Sequence, residues 1–392
     1  QYPIKWNPCQ LTGEDDFAEK IQVDPMKKLA FFTTQFEGGS PAQHLIDRCL
    51  MGWPSEGRFI ESPFEEIAAY GAPMNQTLKH RQDHPNLTIA DTFEEAIAEA
   101  DAWILAAGAN DDWTCSSQQL KAAIKQSSES TRGFVVGLPE NLASDGLEQM
   151  ILEQKTRIQA STPLGLTWRL PEVDTPSGAE LEETVILIRG AFPSAEKEAV
   201  DALLTLTSHR KGGESGISNI ERYRGNDVWK AAREGHFSWN LFSAAASRTN
   251  SKQGDATIDG RTQDIVGLGM VPKLAKDTRA WIFKHNDGLK STVITVDGIL
   301  NDDNFALRTK AGDTLSAQFY LPPKPNDHRF SRMMDRISSF VIDGENAFSE
   351  KRTLLWGKVI QALQEMELKN LATMQPAFAN MAYDASKSCW KP

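Results

Sequence analysis

Between Lys28 and Pro163, short apolar segments alternate with segments of helical character, and this alternation limits the possible folds more than any other feature. Each apolar segment is too short for a helix and is bounded by residues that favour turns. Strands separated by helices at this spacing predict a parallel sheet with right-handed crossovers. The predicted strands are Leu29–Thr33, Phe64–Tyr70, Leu87–Ile89, Asp101–Gly108 and Gly133–Pro139.

The pattern changes after about Pro163. A long strand, Glu180–Phe192, precedes an amphipathic helix, and two hairpins are predicted through Asn286-Asp287-Gly288 and Ala311-Gly312-Asp313. The fold class is therefore α/β: an N-terminal Rossmann-like, doubly wound parallel sheet, then an α+β domain with a mostly antiparallel open sheet. The predicted parts are an irregular extension (1–27), the Rossmann-like domain (28–163), the α+β domain (164–366) and a C-terminal tail (367–392).

The charge balance narrows the choice of partner. The 392 residues include 42 basic and 53 acidic side chains, for a net charge of −11. This balance argues against nucleic acid or an anionic membrane as the main partner. No run of about 18 apolar residues exists, so no membrane insertion is predicted. The chain begins at Gln1, which leaves a processed secreted, periplasmic or organellar protein open and does not fix the compartment.

The four cysteines give no metal-binding pattern. None lies in a Cys-x-x-Cys pair, so neither a zinc nor an iron–sulfur site is expected. Cys9 and Cys389 lie near opposite ends of the chain, and chain termini are often close together in space. A disulfide between these two residues and four free thiols both remain open.

Several longer motifs resemble a known family: "STPLGLTWRLP", "SHRKGGESGISNIERYRG", "FKHNDGLKSTVITVDG" and "EKRTLLWGKV". They are similar to segments of an uncharacterised bacterial branch of the Gfo/Idh/MocA oxidoreductases, and the similarity covers most of Lys28 to Glu365. The resemblance implies a Rossmann domain, an NAD(P) cofactor, a sugar- or polyol-like substrate and pairing through the open face of the C-terminal sheet.

The loop after the first strand departs from the dinucleotide-binding pattern. A Gly-x-Gly-x-x-Gly fingerprint allows a tight turn and close approach of the pyrophosphate. Here Thr33 is followed by residues with side chains, and Gly38, Gly39 and Ser40 come late. Glu37 would place negative charge where phosphates should bind. Thr33, Gly38, Gly39 and Ser40 are the residues expected nearest any cofactor.

Two other loops depart from the pattern that the resemblance implies. Most family members carry Glu-Lys-Pro after the fifth strand, where the Lys works beside the nicotinamide and substrate. This chain has "GLPENLA", which keeps Pro139 but has no Lys. The second strand ends in "IAAYGAP", without the acid that would hold the ribose hydroxyls. We therefore predict a degenerate dinucleotide site with no cofactor, and NAD(P) binding is the alternative.

A separate group of polar residues follows the helix after the long strand, in "SHRKGGESG". Arg210 could hold an anion such as a carboxylate or phosphate, with backbone N–H groups of Gly212 and Gly213 nearby. His209 could act as an acid or base, and Lys211 adds a second cation. The alternative is structural, because cations stabilise the negative end of a helix.

The segment "GLTWRLP" joins the two predicted domains, and its Trp168 and Arg169 could face a cleft between them. The alternative is that both residues pack at the interface. If the protein is an enzyme, we predict His209, Lys211 and Arg169 as its catalytic residues, with Trp168 beside the ligand. No metal site is predicted; Asp111 and Asp112 are expected to cap a helix.

Three functions follow from these residues. The main prediction is a non-catalytic pseudo-oxidoreductase that acts as a binding module, a homo-oligomer or a subunit of a larger assembly. The first alternative is an NAD(P)-dependent oxidoreductase of sugar- or polyol-like substrates. The second alternative is a metal-assisted lyase or hydrolase that uses the same cleft.

Overall fold

The protein contains a six-stranded sheet, an eight-stranded sheet and a separate two-stranded hairpin. The first sheet is built from residues 27–161 and the second from residues 169–374, which confirms the predicted fold class. The computed structural model describes residues 27–33, 38–71, 81, 83–106, 117–126, 131–137, 139–144, 146–153, 157–249, 265–324, 327–345 and 348–384.

The six-stranded sheet is parallel at every pairing. Its strands are β1 (Lys27–Thr33), β4 (Phe64–Gly71), β5 (Leu87–Ile89), β6 (Ala102–Ala106), β7 (Arg132–Val136) and β8 (Ile158–Ser161). They lie in the order β5-β4-β1-β6-β7-β8. Numbered by position in the chain, this is the 3-2-1-4-5-6 order of dinucleotide-binding folds.

Helices cover both faces of this sheet, as its buried strands require. Ser40 caps the first helix by accepting a hydrogen bond from the backbone of Gln43, and Pro41 is its first residue. Thr92, rather than the neighbouring Asp91, caps the second helix through the Glu95 amide. The helices of this part are α1 (Pro41–Met51), α2 (Phe93–Ile97), α3 (Ser117–Gln126), α4 (Pro139–Leu142), α5 (Leu147–Glu153) and α6 (Pro163–Leu166).

A hairpin between α1 and β4 was not predicted. Strands β2 (Trp53–Ser55) and β3 (Arg58–Ile60) pair around a two-residue turn. Both turn residues, Glu56 and Gly57, have positive φ angles of 46° and 78°. That backbone matches the twist of a tight hairpin, and the sequence "SEGR" carries its signal in Gly57.

The eight-stranded sheet is antiparallel at every pairing but one, since β10 and β13 run parallel. Both predicted hairpins are present. The strand order is β16-β11-β12-β13-β10-β14-β15-β9. The strands are β9 (Arg169–Leu170), β10 (Leu181–Ile188), β11 (Ile217–Arg224), β12 (Lys276–His285), β13 (Lys290–Asp297), β14 (Asp303–Thr309), β15 (Thr314–Phe319) and β16 (Thr373–Met374).

The helices of the second part are α7 (Ser194–Thr207), α8 (Asn226–Arg233), α9 (Trp239–Ala246), α10 (Val271–Leu274), α11 (Arg329–Ser338) and α12 (Glu350–Leu368), with a π-helical turn at Ser339–Asp343. Among the helices described, none is both long enough and apolar enough to span a bilayer.

Both faces of the larger sheet are covered by helices. Ile186 and Ile188 of β10 pack in one cluster with α7 and α12, whereas Val185 and Leu187 pack in another with α8 and α9. Ile282 and Ile294 lie in the second cluster and are fully buried. The second face is therefore covered by helices in the described residues, whereas the resemblance implied an open face there.

The two parts of the chain are joined through Asp201 of α7, which also forms a buried ion pair with Arg352 of α12. Arg352 Nη2 donates to Asp201 Oδ1 at 2.6 Å, and neither side chain is more than 1% exposed. Asp201 Oδ2 also accepts from the backbone N–H of Thr162 at 2.7 Å and from Ser161 Oγ at 2.9 Å. Because Ser161 ends β8, this carboxylate holds the parallel sheet against the second part of the chain.

The hairpin β2–β3 forms a second connection, which we call the hairpin clasp. Asp335 of α11 accepts hydrogen bonds from Trp53 Nε1 at 2.8 Å and Ser55 Oγ at 2.6 Å. Glu56 pairs with Arg332 at 2.8 Å and accepts a longer bond from Trp168 Nε1 at 3.3 Å. The clasp thus ties the hairpin of the first part to α11 and the connecting segment.

Replacing Arg352 with Met should destabilise the protein strongly, because Asp201 would stay charged and buried without its cation. We expect a loss of about 3–5 kcal/mol in the free energy of unfolding, measured by urea denaturation. The exposed pair Lys230–Glu234, 3.8 Å apart, provides the control. Lys230→Met should cost about 0.5 kcal/mol or less, and equal losses for the two variants would contradict the assigned role of Asp201.

Candidate functional site: the carboxyl edge of the parallel sheet

The carboxyl ends of the parallel strands form the edge at which ligands bind in open α/β sheets. In this chain that edge carries Thr33, Gly71, Ala106, Val136 and Ser161, the last residues of five strands. The strand order reverses between β1 and β6, so a crevice is expected above Thr33 and Ala106. A side chain at Gly71 would collide with the carbonyl oxygen of Thr33, which explains the glycine at this strand end.

The N-terminus of α1 lies just beyond β1. Gly39 has a positive φ of 81°, which favours glycine there. The Gly39 N–H donates to Gln43 Oε1 at 2.9 Å, and the Gln43 N–H donates to Ser40 Oγ at 3.2 Å. Pro41 has no N–H. Two donors that could bind a phosphate are thus bonded to side chains of this chain, while Glu37 lies outside the described residues.

The first half of α7 lies across the same edge, which the sequence did not reveal. Lys197 Nζ forms an ion pair with Glu140 Oε1 at 2.7 Å, with 5% and 17% of the two side chains exposed. Glu140 is the second residue of α4, which follows the carboxyl end of β7. Asp201, one turn further along α7, contacts the end of β8. A buried lysine and a buried acid from α7 therefore face the ends of adjacent parallel strands.

The predicted residue His209 lies beyond the other end of α7. Its Nε2 is 2.7 Å from the carbonyl oxygen of Thr175 and 3.5 Å from Asp174 Oδ2, and the side chain is buried. His209 lies twelve positions after Lys197 in the chain, which corresponds to about 18 Å at the helical rise. The structure does not bring His209 to the carboxyl edge near Lys197.

The other residues of "SHRKGGESG" have partners within the chain. Arg210 is buried between Glu214, at 3.1 Å, and Asp287, at 2.7 Å. Lys211 is exposed and pairs with Glu180 at 3.0 Å. An anion at Arg210 would have to compete with two carboxylates. The anion site, with Gly212 and Gly213, stays a prediction, and these contacts favour the structural alternative.

Arg169 and Trp168 separate at the sheet edge. Arg169 is buried with its guanidinium 4.7 Å from the ring centre of Phe319, and burial lowers the pKa of Arg169 to about 9. Trp168 lies in the hairpin clasp, with the guanidinium of Arg332 at 5.3 Å from its ring. Asp174, which lies 3.5 Å from His209 Nε2, also interacts electrostatically with Arg169. The catalytic role of Arg169 and the ligand contact of Trp168 stay predictions.

The remaining candidates have packing roles or lie elsewhere. Trp229 is buried and meets Trp239 edge to face at 6.3 Å, as expected for core aromatics. Within the described part of the chain, no group of three or more His, Cys, Asp or Glu side chains could hold a metal ion. Asp111, Asp112, Cys9 and Cys389 lie outside that part, and the described Cys49 is a buried free thiol.

The Glu214 carboxylate should make stability depend on acid pH. Burial opposes its ionisation, but His285 and Arg210 outweigh burial and lower the pKa of Glu214 to about 2. A depressed carboxyl pKa stabilises the fold above the unfolded value and is lost as pH falls. We expect a contribution on the order of 3 kcal/mol that disappears between about pH 5 and 2.

Urea denaturation of wild type and Glu214→Gln across this pH range measures that contribution. The two proteins should differ at pH 6 and converge near pH 2, because the wild-type carboxyl is then protonated. A difference that stays constant with pH would show that charge is not the cause. Glu180→Gln, in the exposed pair with Lys211, should match wild type throughout.

The comparisons with known proteins rest on structure rather than sequence. No protein-family model matches the chain, and no curated protein matches it. The apo scyllo-inositol dehydrogenase of Lactobacillus casei superposes with a TM-score of 0.52 at 9% identity, covering 90% of this chain and 99% of that one. GenD2 from gentamicin A biosynthesis, solved in complex with NAD, gives 0.52 at 10% identity, covering 90% and 96%.

These similarities cover nine-tenths of this chain and nearly the full length of the known structures. At such low identity they describe the fold and leave residue roles open. The protein therefore shares the overall fold of these solved structures.

Proposed function

We propose that the protein is an NAD(P)-dependent oxidoreductase that acts on a sugar- or polyol-like substrate. The observation that carries the proposal is the 3-2-1-4-5-6 strand order, with the N-terminus of α1 at its point of reversal. Proteins with the same two-domain fold include an inositol dehydrogenase and an NAD complex. This reverses the order of the first two functions inferred from sequence.

The residues at α1 are compatible with a dinucleotide. The hydrogen bond from the Gly39 N–H to Gln43 is exposed, and the one from the Gln43 N–H to Ser40 is part-buried. Each contributes about 1 kcal/mol to the stability of the fold. Charge-assisted bonds to phosphate are stronger and can replace them. The backbone N–H groups of Gly39 and Gln43 would then hold the phosphates, as at other helix N-termini. When bound, the nicotinamide would accept or return a hydride.

We assign to Lys197 the transfer of a proton to or from the substrate. Its ammonium group pairs with Glu140, in the helix that follows the carboxyl end of β7. It can donate a proton to a substrate oxygen, and the amine can take that proton back in the reverse direction. Glu140, at 2.7 Å, orients the side chain.

Cofactor binding can be tested directly. NADH and NADPH should each be titrated while the melting temperature and the nicotinamide fluorescence are recorded. A cofactor at 100 times its Kd stabilises the native state by about 2.7 kcal/mol, so the melting temperature should rise. Gln43→Ala frees the Gly39 N–H and should leave binding equal or tighter. No response to either cofactor at millimolar concentration would contradict the proposal.

The role of Lys197 calls for a matched pair of variants. Lys358 of α12 forms an ion pair of the same length, 2.7 Å, with Glu148 of α5. Lys197→Met should retain cofactor binding and lose about 100-fold or more in turnover of a polyol panel, whereas Lys358→Met should retain turnover. Equal turnover by both variants would contradict the assignment.

A non-catalytic protein is the second candidate, and two observations favour it. The first-turn donors of α1 are already bonded to Ser40 and Gln43. In addition, the sequence from Gly137 to Pro139 provides no lysine at the end of β7. Under this candidate the ion pair of Lys197 and Glu140 joins the two parts of the chain. Absence of cofactor binding, with normal folding, is the result that distinguishes it.

If the protein is non-catalytic, we expect it to self-associate through its C-terminal part. The sheet face is covered by α8 and α9, so contacts would involve the outside of that helical layer. Leu268 and Leu274 there are 63% and 38% exposed. Light scattering at micromolar concentration should show a dimer or larger assembly, and a monomer would count against it.

A further inference from the structure

A surface pocket lies between α5, α12 and the segment that follows β16, and we call it the α5–α12 pocket. Its volume is about 420 Å³, within the range of pockets that bind small molecules. Its lining comes from three separate stretches of chain: α5, the first half of α12 and residues 377–382. None of these lining residues belongs to the carboxyl edge of the parallel sheet, so the proposed oxidoreductase site does not account for this pocket.

Part of the lining is apolar. Leu152 of α5 is 45% exposed, although the preceding Ile151 is buried. Phe378 and Met381 also line the pocket, and both are partly buried side chains that pack against the larger hydrophobic cluster. A single exposed leucine is ordinary on a protein surface. Three apolar side chains around one concavity provide a surface that the hydrocarbon part of a ligand can cover.

The charged part of the lining has an excess of positive charge. Lys358 Nζ pairs with Glu148 at 2.7 Å, so these two charges are matched. Lys351 lines the same pocket, is exposed and forms no ion pair within the described part of the chain. Asn380 adds an amide group to the lining. In a chain with a net charge of −11, the pocket therefore places an unmatched cation beside apolar surface.

The charges of a second pocket, of about 410 Å³ beside β11, are already matched. Arg222 and Arg224 both form ion pairs with Glu367. Lys230 lies 3.8 Å from Glu234, which is ion-pair distance. An anionic ligand there would have to displace carboxylates of the chain itself, whereas in the α5–α12 pocket it would find a free ammonium group.

We propose that the α5–α12 pocket binds an amphipathic carboxylate, whose apolar chain or ring contacts Leu152, Phe378 and Met381 while its carboxylate pairs with Lys351. A pure hydrocarbon would leave the lysine without a partner, and a small inorganic anion would leave the apolar surface in water. Apolar burial supplies most of the affinity. The partly exposed ion pair adds less and selects an anion over a neutral molecule. The site is independent of the proposed oxidoreductase activity.

Isothermal titration calorimetry of the whole chain with hexanoate, octanoate and decanoate tests the proposal. Each carboxylate should bind at a single site, and each added methylene should lower the Kd about threefold because it buries more apolar surface. Octanamide, which has the same chain length without the charge, should bind about fivefold more weakly than octanoate. The melting temperature should rise with octanoate concentration, because the ligand binds the native state.

Point variants locate the site. Leu152→Ser removes apolar surface and should raise the Kd of octanoate about tenfold. Lys351→Gln removes the charge and should raise it about fivefold, whereas Lys351→Arg should restore binding. Both positions are exposed, so urea denaturation should show that the variants keep the stability of wild type. Lys230→Gln, in the pocket beside β11, is the control and should bind octanoate as wild type does.

Three results would overturn the proposal. One is the absence of saturable octanoate binding at millimolar concentration. Another is an unchanged Kd in both Leu152→Ser and Lys351→Gln, since the ligand would then bind elsewhere. The third is an equal loss in Lys230→Gln and Lys351→Gln, which would show general attraction to surface charge. None of these variants alters the carboxyl edge of the parallel sheet, so failure here leaves the proposed cofactor binding to its own test.

Discussion

The carboxylate of Asp201 determines how the two parts of this protein fit together. It is buried, and it accepts a hydrogen bond from the Thr162 N–H, directly after the last parallel strand. Its charge is neutralised by Arg352, which lies 151 residues later in the chain. Removing either partner would leave an unpaired charge in the interior, which proteins rarely tolerate. The position of α7 follows from this pair. Once α7 is fixed there, Lys197 must face the end of β7, so the geometry of the candidate site depends on an interaction outside it.

The first sheet could be predicted from sequence because its strands are buried on both faces and read as short apolar runs. The segment Leu29–Thr33 is an example, since β1 has neighbours on both sides and all of its last five residues are buried. The hairpin β2–β3 escaped prediction because three-residue strands carry almost no periodic signal. Its position depends on contacts with Asp335, which lies 280 residues after Ser55 in the chain, and no local pattern indicates that contact.

The candidate site was less predictable than the fold. Charges in "SHRKGGESG" suggested a ligand because the sequence shows Arg210 without its partners. Glu214 is close in sequence, but Asp287 and Tyr383 approach only through the fold. Lys197 is the opposite case, because the sequence did not predict a role for it. In the sequence it is one polar residue of an amphipathic helix. Only the crossing of α7 over the strand ends gives that lysine a possible role. Burial and long-range pairing decide both cases, and neither can be read from residue type.

The hairpin clasp has a consequence for how a ligand could enter. Many two-domain proteins admit ligands by rotating one domain about a hinge. Here Asp335 holds the hairpin through two hydrogen bonds, and Glu56 reaches both α11 and the connecting segment. Rotation would break these contacts together with the buried pair at Asp201. Rotation of one half would therefore cost all of these contacts, which favours entry of a ligand at the rim of the crevice over entry by opening of the two halves.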